Sequence, residues 1–214
     1  MNMPLQMKKL LQDYMPLTVF VSVLFVMGIV FGALLVNALS LEQKQEMFRY
    51  VGSFFHSIDQ GTEGSKTESF QHIFGMHLKW MLLIWVLGLS VIGLPLVLVL
   101  NFLKGVLVGF TVGFFVSQWS WKGMVFAMAA VAPQNIVIIP SFILSSVFAI
   151  LFSIYLIRNR LMQKKGNISQ AFMQYSIGVL ALTGVLLLAS LLEVFCSPYF
   201  IEWATPVLSL SGAN

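Results

Sequence analysis

Between Met124 and Ile157 the chain runs without one charged side chain, and this run constrains everything around it. As a single α-helix it would measure roughly 51 Å at about 1.5 Å per residue, well beyond the ~30 Å of hydrocarbon in one crossing. Other segments are as apolar. Leu17–Leu39 holds no charge, Leu78–Leu100 only Lys79 at its edge, and Ala171–Phe195 only Glu193. A tight turn expected at Asn101–Lys104 sets off a shorter run, Phe102–Gln118. Only 9% of the 214 residues are charged, too few to coat a water-facing globule of this size. The pattern predicts an all-α, polytopic integral membrane protein forming a single membrane domain over residues 1–214.

The charges decide how the long run is threaded. It contains Pro133, Gln134, Asn135 and Pro140, and prolines and amides at membrane depth leave backbone groups that protein or water must satisfy. A re-entrant or broken half-helix over 124–140, followed by one full span, keeps Lys8, Lys9, Lys104, Arg158, Arg160, Lys164 and Lys165 on one side. Lys44, Arg49, Lys66, Lys79 and Lys122 then lie on the other. Two full crossings would reverse that balance, against the rule that cations collect in the cytoplasm. The expected spans are therefore 17–39, 78–100, 102–118, 140–157 and 171–195, with the N-terminus inside and the C-terminus outside. Lys8 and Lys9 before the first run resemble a signal peptide, but the run is long and no A-x-A site follows, so a retained signal anchor is expected. Tyr14, Trp80, Trp119, Trp121, Tyr199 and Trp203 fall near the span ends, where amphipathic rings settle.

Residues 40–77 form the longest polar excursion. Met47, Phe48, Val51, Phe54, Phe55 and Ile58 recur at helical spacing among Glu42, Lys44, Glu46 and Arg49. Ser40 with Gln43, and Ser65 with Glu68, have capping-box spacing. An outside amphipathic hairpin turning at Asp59–Ser65 is expected. It either lies on the membrane surface or also offers Glu42, Glu46, Arg49, Asp59 and Lys66 as a docking face. His56, His72 and His77 lack i, i+4 ligand spacing and read as interfacial residues.

Gly28 and Gly32, and the triple Gly105, Gly109 and Gly113, make flat strips on which another backbone can lie closely. Internal packing and a homodimer seam both satisfy that pattern. Pro133, Gln134, Asn135 and Pro140 read either as a structural elbow or as a polar substrate site of the broken-helix kind. Glu193 reads as snorkelling to the outer interface. The lone Cys196 excludes an internal disulfide and any CxxC site.

Catalytic chemistry is not visible. No G-x-S-x-G, H-E-x-x-H or P-loop occurs, and the only aspartates, Asp13 and Asp59, lie in polar flanks. A non-enzyme without cofactor or metal is expected. The net charge of +4 is scattered, without the basic stripe that nucleic-acid binding needs.

Several runs together carry a resemblance: Val21–Ala33, Ser90–Pro95, Phe102–Phe114, Pro133-Gln-Asn135 and Leu192–Pro198. Over essentially the whole chain they resemble the stage II sporulation protein M family. In the wider membrane family the broken segment often reads Pro-His-Gly followed by a glutamate; Gln134, Asn135 and Ile138 stand at those places here. That departure argues against a proton- or ion-handling role, whereas the sporulation-type members share the Pro-Gln-Asn form. The resemblance implies a scaffold in the sporulation septum and engulfing mother-cell membrane. Its implied partners are the stage II sporulation proteins D and P, which degrade peptidoglycan. A permease component for a neutral or lipid-like substrate is the alternative.

Overall fold

Helices form where the apolar runs lie, but they turn at different places. The computed structural model describes residues 5–49, 66–161 and 168–209, and among them every regular element is helical. Helix α1 (Leu5–Leu35) ends in a 3₁₀ turn, Val36–Ala38. A short helix α2 covers 41–49. Helices α3 (Lys66–Gly88), α4 (Gly93–Leu161) and α5 (Ile168–Ser209) complete the chain. Within them, 5 segments are long and apolar enough to cross a membrane: Tyr14–Ala38, Phe70–Gly88, Gly93–Pro133, Asn135–Asn159 and Ile168–Leu191.

Two expected boundaries are corrected. Residues 101–104 are helical, and the chain turns instead at 89–92. Gly93 is required there, because any Cβ would run into the carbonyl of Leu87. Pro95 sits in the first helical turn, where a missing N–H costs nothing. The second correction concerns the break. Residues 124–140 stay helical through both prolines, and the only non-helical backbone in α4 is at Ser120 (φ 49°, ψ −127°). There the chain doubles back. A Cβ on Gly123 would meet the carbonyl of Phe115, and the rings of Phe115 and Phe126 lie 4.9 Å apart. In a straight helix those two rings would sit on turns roughly 16 Å apart. Close to the prolines, Asn135 Nδ2 donates to the carbonyl of Val131 at 2.8 Å, and Ser141 Oγ to that of Val137 at 2.8 Å.

Helix α4 is the hub. It packs against α1, α3 and α5, and among the described residues no Cα of α1 comes within 8 Å of one in α3 or α5. The α1–α4 seam is built from the two glycine sets. A Cβ on Gly32 would come within 2.8 Å of the Phe110 nitrogen, one on Gly109 within 2.6 Å of Ile29 Cα, and one on Gly113 within 2.8 Å of Ala33 Cα. Gly28 and Gly105 abut the carbonyls of Phe102 and Phe25 in the same way. Rising numbers face rising numbers, so α1 and the first arm of α4 run parallel. These glycines are therefore used within the chain.

At the opposite end the turn after α3 is tied down by side chains. Tyr175 Oη donates to the carbonyls of Ile84 and Trp85 at 3.2 and 3.1 Å, and Ser153 Oγ lies 3.0 Å from the carbonyl of Gly88. Carbonyls that a helix end leaves unpaired are thus satisfied from α5 and α4. Outside the bundle, Val23, Val30 and Leu34 on α1 and Leu180 and Leu188 on α5 are exposed, an apolar coat suited to lipid.

Replacing Gly109 by Val is expected to destabilise the protein by about 3 kcal/mol, because backbone rather than a movable side chain is struck. Gly184→Val, where nothing lies within 4 Å, should change stability by less than about 0.5 kcal/mol. Thermal unfolding in detergent micelles compares the two. In the same assay Ser120→Gly should stabilise by about 1 kcal/mol, since the positive φ favours glycine.

Candidate functional site: an ionisable cluster inside the bundle

Three ionisable side chains from three helices meet in the interior. His77 lies on α3, Lys104 on α4 and Glu193 on α5. Lys104 is roughly 16 Å along its helix from Gly93, and His77 a similar ~16 Å from Gly88, at about 1.5 Å per residue. Both are thus near the middle of the ~30 Å apolar layer. His77 Nε2 stands 3.6 Å from Glu193 Oε2, with the side chains only 6% and 14% exposed. Neither atom has a hydrogen-bond partner among the described residues, so the pair is at ion-pair distance but beyond hydrogen-bond length. The Lys104 ammonium lies 5.2 Å from the centre of the Trp80 ring and 6.0 Å from that of Phe142. Glu193 is also within electrostatic reach of it.

The chemistry follows from this geometry. An isolated lysine at mid-depth costs about 2.5–3.5 kcal/mol on insertion scales. Here a carboxylate and two aromatic faces offset that cost, the latter by roughly 0.5–2 kcal/mol. The Lys104 ammonium and the Glu193 carboxylate are of opposite charge, and the His77 imidazole lies beside the carboxylate. Asn101, one turn from Lys104, is wholly buried, and its amide reaches the carbonyl of Val21 at 3.4 Å. The cluster therefore braces α3, α4 and α5 against one another at the same level where α4 meets α1.

Sequence reasoning placed these three residues elsewhere. His77 was expected at an interface, Lys104 in a turn and Glu193 snorkelling outward; all three are turned into the bundle. The signal that could have found Lys104 is the Ser90–Pro95 turn motif, which moves the start of its span back to Gly93.

The residues expected to dock partners cluster only in part. The Ser40–Gln43 capping box forms: the Ser40 N–H donates to Gln43 Oε1 at 3.0 Å, and the Gln43 N–H to Ser40 Oγ at 3.3 Å. It starts α2, on which Glu42, Glu46 and Arg49 are exposed. Phe48 stacks on Trp119 at 5.5 Å, fixing α2 to the hairpin tip of α4. Asp59 lies outside the described residues, and Lys66 opens α3 with its side chain outside them. Of the proline-bearing site, Asn135 has its amide engaged with the backbone. The side chains of Gln134 and Cys196 are outside the described residues. Among the described residues no three His, Cys, Asp or Glu side chains gather as a metal ion would require.

A family model described as Stage II sporulation protein M matches residues 21–198, a stretch that contains the ionisable cluster and both glycine sets. No curated protein and no solved structure matches the chain.

Removing one member of the cluster leaves the others uncompensated. Glu193→Ala is expected to cost about 3 kcal/mol in micelle unfolding. Adding Lys104→Met should recover more than half of that loss, a coupling that independent sites would not give.

Proposed function

The chain belongs to the stage II sporulation protein M family and is a sporulation-related membrane protein, and from that premise we propose that it is a non-catalytic scaffold. In this reading it sits in the septal and engulfing mother-cell membrane and gathers peptidoglycan-degrading enzymes there. Its partners are the stage II sporulation proteins D and P. The N-terminus is cytoplasmic, and α2 and the Ser120 hairpin face outward. With Lys79 and Lys104 inside spans, the charge balance still favours this orientation. Lys8, Lys9, Arg158, Arg160, Lys164 and Lys165 lie on one side against Lys44, Arg49, Lys66 and Lys122 on the other.

The observation that carries the reading is α2. A capping box holds one end and the Phe48–Trp119 stack the other, while Glu42, Glu46 and Arg49 stay exposed. A polar helix fastened to an apolar bundle, with its charges free, is what a docking platform needs. The self-compensated interior suits a rigid support.

Reversing the platform's charges tests the proposal. In sporulating cells the triple variant Glu42→Lys, Glu46→Lys, Arg49→Glu should reach the membrane at normal levels. It should recover at least tenfold less of both wall enzymes when purified in mild detergent. Undiminished recovery would remove this face from the reading.

A further inference from the structure

Lys79 is the middle residue of the candidate span Phe70–Gly88, and its side chain is exposed. Either end of the span is roughly 14 Å away along the helix at about 1.5 Å per residue, too far for a lysine stem to bring its ammonium fully into water. The side chain makes no ion pair or hydrogen bond among the described residues. Charged residues inside membranes almost always face a bundle interior or a partner, and Lys104 obeys that rule. Lys79 does not obey it within this chain.

Its surroundings form a continuous face. His72, Met76, Lys79, Leu83 and Val86 are all exposed, at the alternating four- and three-residue spacing of a helix–helix seam. A Cβ on Gly75 would meet nothing within 4 Å, leaving room for a close backbone approach. The exposed faces of α1 and α5 differ. Val19, Val23, Val26, Val30 and Leu34 on one, and Leu180 and Leu188 on the other, are wholly apolar and ask only for lipid.

We propose that this face of α3 receives a transmembrane helix of another protein that carries a carboxylate at mid-depth, with Lys79 as its counter-charge. A second copy of this chain fits poorly. Stacking α3 on α3 about a twofold axis sets Lys79 against Lys79. The candidate spans themselves hold no Asp or Glu, and Glu193, just past the last of them, is turned inward onto His77 and Lys104. A lipid phosphate lies at the wrong depth. The inference goes beyond the scaffold reading and does not depend on which proteins α2 gathers.

The test uses the full chain, purified and fluorescently labelled, in phosphatidylcholine vesicles. The probe is a synthetic single-span poly-leucine helix with one central glutamate and an acceptor dye. Energy transfer should report association with the parent protein, weakened at least tenfold by Lys79→Leu. Moving the probe's glutamate to one end, or replacing it with leucine, should cause the same loss. Gly75→Phe should block association sterically, whereas Leu180→Phe on α5 should not. Equal association of the Lys79→Leu variant, or indifference to the depth of the glutamate, overturns the proposal. So does self-association of the parent in vesicles without probe that Lys79→Leu abolishes, because the occupant would then be a second copy.

Discussion

Hydrocarbon offers no hydrogen-bond partner, so each polar group carried into the apolar layer has to be answered by the protein itself. The chain answers mostly locally. Ser22, Thr111, Ser146, Thr183 and Ser190 each donate to the carbonyl one turn back along their own helix. Where local answers fail, other helices supply them, as Tyr175 and Ser153 do for the end of α3. Lys104 and Glu193, with the His77 imidazole beside the carboxylate, are the most demanding case among the described residues, and they need three helices at once.

That demand shapes the packing. Because α4 contributes Lys104 on one side and the Gly105–Gly113 strip on another, it lies at the centre, with α1 against its glycines and α3 and α5 around its cation. The same helix reverses at Ser120, and its tip receives Phe48. The exposed charges of α2 are thereby connected to the interior through aromatic stacking and helix packing.

Much of this was legible in the residues. Uninterrupted apolar length announced the helices, and small residues four apart announced the α1–α4 seam. Ser40 and Gln43 announced the start of α2. The turns are less legible, because a charged residue between two apolar runs has the composition of a loop even when it is buried in a helix. Lys104 looked like a loop residue, although the glycine and proline of Ser90–Pro95 marked the true reversal. Pro133 and Pro140 read as breaks, although the helix continues through both, while Ser120 carries no turn signature at all. The meeting of His77, Lys104 and Glu193 was hidden for a different reason: it depends on the relative depth of three helices, and a shift of a few residues in any span boundary takes it apart.

Lys104 also imposes an order on biogenesis. Ribosomes emit α4 well before α5, so the cation enters the bilayer when its anionic counterpart has not yet been synthesised. Trp80 and His77 on α3 and Phe142 on α4 itself are what is available to shelter it during that interval. The nascent protein therefore carries an electrostatic debt that the last helix discharges, and α5 acts as the closing clasp of the assembly. A chain released prematurely, before that helix, would retain a membrane-buried charge of the kind that quality-control proteases encounter in orphaned subunits.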